Sequence, residues 1–323
     1  MTVLTEGVRI ATVLPGTAAP EGYEAVDLTG CCVTPGLIDG HVHLTSTGLE
    51  PQGEGAYVLP GELTLRAAEN ARRDLMAGFT TVRDCGAEEY INHSIRDAVA
   101  RGDLEGPRVF SCGRCITPTG GHADRLYSPY MESHVQAAIP VDGPVEARRA
   151  ARLNMKFGAD FLKVMVTGGV ICAGSAVGTQ YMAADELAAV VEVAGLYGVH
   201  TAAHAHGTAG IKAAARAGIT SVEHAMMMDD EAVDLFCEKG TYHTPTIITG
   251  ERILDRQAPA RHHGDDPGLP AAGCGDRRAH RDPLRPQALL HPGLCGDAPG
   301  ADRAVHALVL DGAHPDLQLL HQA

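Results

Sequence analysis

Five times along this chain a helical stretch ends at a glycine and an apolar strand begins at once. "GELTLRAAENARRDLMAG" leads into "FTTVRDCG", and "PVEARRAARLNMKFG" leads into "ADFLKVMVTGG". The same unit returns in "AADELAAVVEVAGLYG"–"VHTAAHAHG", "TAGIKAAARAG"–"ITSVEHA" and "DDEAVDLFCEKG"–"TYHTPTIITG". The helical stretches carry apolar residues at i, i+3 and i+4. Gly78, Gly158, Gly198, Gly218 and Gly240 stand where a left-handed C-terminal cap is expected. The strands are apolar on both faces, as parallel strands covered by helices must be. "CVTPGLIDGHVHL" and "PRVFSCGRCITP" bring the strand count to seven. Alternating units at that count predict an α/β fold, a (β/α)8 TIM-type barrel whose eighth strand is doubtful. Chemistry in such a barrel gathers at the C-terminal ends of the strands.

The barrel is expected over residues 35–256. Residues 1–34 read as short strands and turns before it. The bulk numbers narrow the function classes. The chain has 323 residues, 45% hydrophobic and 20% charged, the balance of a globular protein with a full core. A net charge of −14 argues against a nucleic-acid partner. No apolar run is long enough for a membrane span, and the N-terminus lacks the layout of a secretory signal. The expectation is therefore a cytoplasmic protein with reduced thiols, acting on a small molecule. A homo-oligomer is compatible with all of this. Cys112 and Cys115 in "CGRC" have the spacing of a redox dithiol or half a zinc site. No second such pair exists, so two ordinary thiols near a strand are expected instead.

Metal-capable groups fall at strand tips. In "GLIDGHVHL", His41 and His43 are two apart and so face the same way. At a barrel's upper edge that direction is into its mouth. In "FLKVMV", Lys163 is one cation among apolar residues on a strand expected to be fully buried. A buried, unpaired ammonium is very costly. Either a carboxylate pairs with it, or the amine has added CO2 to become a carbamate anion able to bridge two metals. "HTAAHAHG" puts His200, His204 and His206 on one face, and "SVEHA" ends the next strand in His224. Polar groups at one edge of four strands are hard to explain by packing. Imidazole and carboxylate-like oxygen together suit Zn2+, with Mn2+, Co2+ or Fe2+ as alternatives.

These motifs, "VTPGLIDGHVHL", the isolated strand lysine, "HAH" and "SVEHA", resemble the amidohydrolase superfamily of metal-dependent hydrolases. "GFTTVRDCG", "GPRVFSCGRCITPTGGH" and "GADFLKVMVTGG" are similar to its imidazolonepropionase-like and Xaa-Pro dipeptidase branch. The resemblance covers roughly residues 25–250. It implies two divalent ions. His41 and His43 would hold the more buried one, His204 and His224 the other, and a carbamate on Lys163 would bridge them. It suggests a catalytic, substrate-contacting role for His122 in "TPTGGHAD". Tyr181 is expected to pack, and Arg83 and Asp84 to form an internal ion pair. The implied activity is hydrolysis of an amide or peptide C–N bond, as in an Xaa-Pro dipeptide. Cyclic amides, lactones and phosphotriesters are the alternatives. The family also implies a small β-sandwich, of which residues 1–34 would supply part.

The same resemblance calls for an aspartate at the end of strand eight, as metal ligand and proton carrier. From Gln257 onward, however, the chain uses only ten residue types, with no Lys, Glu, Ser, Thr, Asn, Ile or Met. Asp297 in "CGDAPG" has no β-rich run before it and is a weak candidate. Such a vocabulary is what G/C-rich codons give when read out of register. "GDRRAHRDP" read one base later can give "GTDAPTGTP", the expected turn. Residues 257–323 are therefore expected to be an atypical tail of uncertain fold, with a frameshift after about Gln257 as the hypothesis for its origin. The reading of another class is a metal-binding remnant that has lost this carboxylate.

Overall fold

The computed structural model describes residues 1–7, 9–16, 20–28, 30–48, 58–124, 135–170 and 176–249. The chain divides into one unit of Met1–Ile247 with His306–Ala323 and another of Ile248–Val305. Almost all described residues lie in the first. Asp297, the tail 257–323 and any eighth strand within it lie outside the described residues.

Strands β1 (Thr2–Glu6) and β2 (Arg9–Leu14) form an antiparallel hairpin. The second stretch expected to hold strands, "YEAVDLTGCCVTPG", is irregular wherever it is described. Its backbone groups pair in local turns, such as the Cys31 N–H to the Leu28 carbonyl at 2.9 Å.

All seven expected strands are present. They are β3 (Leu37–Val42), β4 (Phe79–Asp84), β5 (Arg108–Ser111), β8 (Phe161–Met165), β9 (His200–Ala205), β10 (Ser221–His224) and β11 (Tyr242–Thr244). One of them needed correction. "PRVFSCGRCITP" is two strands, β5 and β6 (Cys115–Pro118), because Gly113 takes a φ of +73° between them and turns the chain. β6 pairs on one side with β7 (Ala138–Val141). The pairing is parallel in two sheets, β3–β4–β5 and β11–β10–β9–β8–β6–β7. The Asp160 N–H donates to the Ser111 carbonyl at 2.8 Å and links the end of β5 to the start of β8. The architecture is α/β with parallel sheets. Ring closure between β11 and β3 is not formed by any ladder among the described residues.

The helices are α1 (Pro60–Met76), α2 (Ile91–Arg101), α3 (Pro144–Lys156), α4 (Ala184–Tyr197), α5 (Thr208–Arg216) and α6 (Asp230–Lys239). Their apolar stripes explain where they lie. Leu63, Ala67 and Ala71 of α1 recur every fourth residue and are buried. With Val82, Ile91, Ile95 and Val109 they form one core beside the three-stranded sheet. A larger core joins α3 to α6 with β6 and β8 to β10, through Leu187, Val190, Leu162, Val164, Ile211 and Val222. Each fully buried aliphatic side chain of this kind contributes roughly 1.5–3 kcal/mol. Pro60 and Pro144 open α1 and α3, where no N–H is missed. Glu186 in the first turn of α4 accepts from the Ala183 N–H at 2.7 Å. The five glycines expected to take left-handed conformations all have φ between +67° and +96°. Strand β3 departs from the expected double covering. It is a sheet edge, and its Ile38 is 72% exposed. Among the described residues no helix is long and apolar enough to cross a membrane.

Asp74 on α1 gives a pH-dependent stability. Partial burial, then the charges of Asp39 and Asp84, push its carboxyl up to about 6. Between the ordinary carboxylate range and pH 6 the unfolded chain gives up a proton that the folded one keeps. Stability therefore falls as pH rises through that window. Asp74→Asn is expected to raise the melting temperature at pH 8 and leave it unchanged at pH 4. Its partial exposure limits the gain to about 1 kcal/mol. Thermal melts of both proteins at the two pH values check this.

Candidate functional site

The strand tips bring six imidazoles into one contiguous group. His41 lies on β3 and His43 just beyond it, with ring centroids 5.3 Å apart. His41 is 4.8 Å from His224 at the end of β10. His224 is 4.7 Å from His204 on β9 and stacks on His206 at 4.9 Å. His204 is 4.6 Å from His206 and stacks on His122 at 4.2 Å. The ligating atoms of His204, His206 and His224 lie within 4.8 Å of one another. His200 shares their parity but is exposed at the other end of β9 and takes no part.

Lys163 sits at the centre of β8 and is among the largest fully buried side chains. Its Nζ has no hydrogen-bond partner among the described residues. Its charge is felt by His41, His204, His206 and His224 alike. Burial first, and then Lys163, push His41 down to about 3 and His206 to about 4. Burial and the neighbouring rings hold His204 and His224 well below the ordinary imidazole range. These four rings are neutral at neutral pH, and each offers a lone pair.

Several ring nitrogens of the cluster are held by the frame around them. His43 Nδ1 is 2.8 Å from the Gly86 carbonyl, and His204 Nε2 is 3.1 Å from that of Gly168. His224 Nδ1 is 2.7 Å from Thr246 Oγ1. His224 and Ala225 have φ of +69° and +47°, left-handed values that non-glycine residues rarely adopt. The chain turns there at the tip of β10. His122 follows β6 on a short turn, and its carbonyl accepts from Thr117 Oγ1 at 2.7 Å. A Cβ on Gly169 would collide with its ring, so glycine at that position makes room for it.

Two residues went unread in the sequence. Glu223, inside "SVEHA", is completely buried and lies 2.8 Å from His41 Nδ1. Cys85, just past β4, has its sulfur within 4.8 Å of ligating atoms of His41 and Glu223. A fully buried acid in an apolar strand was the available signal for Glu223. The expected Arg83–Asp84 pair does not form. Arg83 Nη2 pairs with Glu223 at 2.7 Å, while Asp84 accepts the N–H groups of Leu44 and Gly86 at 2.8 and 2.9 Å. Side chains in a strand alternate faces, so neighbours such as Arg83 and Asp84 point apart. Cys112 and Cys115 are free and buried, as expected of ordinary thiols. The Tyr181 hydroxyl accepts from the Ala176 N–H at 3.0 Å within its loop.

Neutral imidazoles gathered in one place offer the nitrogen donors that borderline dications such as Zn2+ take.

The amidohydrolase family model matches residues 32–280. Ochratoxinase of Aspergillus niger is 32% identical over 236 residues, 68% of this chain and 48% of that protein. This chain thus spans about half the length of that curated relative. Among solved structures, an Xaa-Pro dipeptidase with bound methionine superposes with a TM-score of 0.72 at 36% identity, covering 79% of this chain and 64% of that one. A prolidase complexed with N-methylphosphonate-L-proline superposes at 0.73 with 31% identity, covering 79% and 64%. The matched span contains every one of the clustered histidines and Lys163, and the chain belongs to the amidohydrolase family.

Proposed function

We propose that this chain is a metal-dependent hydrolase that cleaves the amide bond of a small substrate, with dipeptides ending in proline first among them. The observation that carries it is the Lys163 amine, buried without a partner at the meeting point of four neutral imidazoles. A buried ammonium left alone is strongly disfavoured. Addition of CO2 resolves the conflict. The amine nitrogen bonds to the CO2 carbon, a proton leaves to solvent, and the carbamate anion then faces groups that hold cations. His41 and His43 would hold one divalent ion and His204 and His224 the other, with the Lys163 carbamate between them and Zn2+ the best match. Bound there, the ions supply an activated water and a Lewis acid for the carbonyl.

The chain's own residues set the rest. Burial keeps the His41, His204 and His224 rings neutral, and the carbonyls of Gly86 and Gly168 hold the His43 and His204 rings in place. His122, stacked on His204, is placed to touch substrate beside the second ion site. Proline specificity is supported by the Xaa-Pro dipeptidase and prolidase among the similar structures. Cytoplasmic residence and a small-molecule substrate, without nucleic acid or membrane, belong to the same proposal.

The test is metal analysis and turnover of the full chain with added Zn2+ and bicarbonate. The expected result is about two equivalents of bound metal and hydrolysis across an Xaa-Pro panel. Bound metal with no turnover on any amide or ester would instead assign a remnant without its proton-carrying carboxylate.

A further inference from the structure

Glu223 is bound from three sides. Its Oε2 lies 2.8 Å from His41 Nδ1. Its Oε1 accepts from Arg83 Nη2 and from Ser221 Oγ, each at 2.7 Å. Arg83 reaches further. Its Nε donates to the Gly40 carbonyl at 2.6 Å, its Nη1 to Ser221 Oγ at 3.0 Å and its Nη2 to Thr244 Oγ1 at 3.3 Å. One guanidinium and one carboxylate thus clip β3, β4, β10 and β11 together in the interior.

We propose that Glu223, braced by Arg83, is a positioning residue that fixes the His41 ring and keeps its proton on Nδ1. The lone pair is then on Nε2, the nitrogen left to donate to an ion. This rests on the reading of His41 as an ion ligand given above. The charges agree with the geometry. Burial raises the Glu223 carboxyl, but the His41 hydrogen bond, Lys163 and Arg83 outweigh it and hold the group ionised. His41 is neutral beside it, so the contact is a carboxylate accepting one imidazole N–H, not an ion pair. A carboxylate that orients a metal-binding histidine in this way is worth about 10–100-fold in affinity.

His41, Cys85 and Glu223 are close enough to hold an ion among themselves. The hydrogen bonding favours the brace, because the Glu223 oxygens already accept three hydrogen bonds.

Glu223→Gln separates the possibilities. Arg83 can only donate, so it claims the single amide oxygen. The amide NH2 then faces His41, and the ring must accept at Nδ1 and carry its proton on Nε2. Nitrogen-15 NMR of the metal-free protein reads this directly, with His41 assigned by the signals lost in His41→Gln. The expected result is an Nδ1–H tautomer in the native chain and an Nε2–H tautomer in Glu223→Gln. Zn2+ affinity, measured against a chromophoric chelator, is expected to fall about 10–100-fold. An Nε2–H tautomer in the native protein overturns the proposal whether or not the variant folds. So does unchanged Zn2+ affinity in a folded Glu223→Gln. If the native chain binds no Zn2+ at all, the hydrolase reading fails, and the tautomer still decides this one.

Discussion

Replacing Lys163 with methionine is expected to make the metal-free protein more stable and the enzyme inactive. Lys163 Nζ is buried and has no hydrogen-bond partner among the described residues. The carboxylate that feels its charge, Glu223, is already engaged by His41, Arg83 and Ser221. Methionine fills a similar volume without a charge to desolvate. Replacing a poorly paired buried charge with an apolar side chain of like size stabilises by about 1–3 kcal/mol. At roughly 2–4 °C per kcal/mol for a domain of this size, the melting temperature rises by several degrees. Activity moves the other way. Loss of the anion that would bridge two ions removes several kcal/mol of transition-state stabilisation, a fall of about 10^3 or more in kcat/KM. Calorimetry after chelation and dipeptide hydrolysis read the two effects separately. A lower melting temperature would mean that Nζ is compensated in the folded chain, and the argument for its modification would go with it.

The second large effect is at Gly207, between His206 and α5. Its φ is −74°, so handedness does not demand glycine there. Space does. A Cβ would land on the Gly178 carbonyl oxygen and lie 2.6 Å from its carbon. Gly207 is also the N-cap of α5, where serine is normally favoured over glycine by a few tenths of a kcal/mol. The two arguments give Gly207→Ser opposite signs. Crowding of backbone against backbone cannot be relieved by a rotamer, so the expected result is a loss of about 3 kcal/mol. Denaturant unfolding measures it, and a small gain would show that the 178 loop yields freely.

Most of the frame could be read from residue patterns. The glycine-to-strand junctions located five of the parallel strands, because cap geometry and apolar periodicity are local. Five of the six clustered imidazoles could be gathered from parity and strand order, and His122 came only from the family resemblance. Local rules failed where tertiary contact decided. The turn at Gly113 splits one apolar run into two strands that pair with different neighbours. Arg83 was given the neighbouring Asp84 as partner, yet alternation sends the two to opposite faces and Arg83 spans to β10 instead. Glu223 was hidden because His224, next to it, also reaches the interior. Strict alternation forbids that, and only the left-handed turn at His224 permits it.

That turn has a consequence for how the centre keeps its accuracy. The His224 ring is aimed by the main chain and not by its rotamer alone, since two consecutive αL residues cost about 1–2 kcal/mol each. The Ala225 N–H lies 3.0 Å from the Ala205 carbonyl and 2.9 Å from that of Glu223, which holds the bend against relaxing. The direction of the imidazole is thus settled when β9 and β10 zip together, before any ion arrives. Glycine at 225 would ease that assembly and, by the same freedom, let the ring wander.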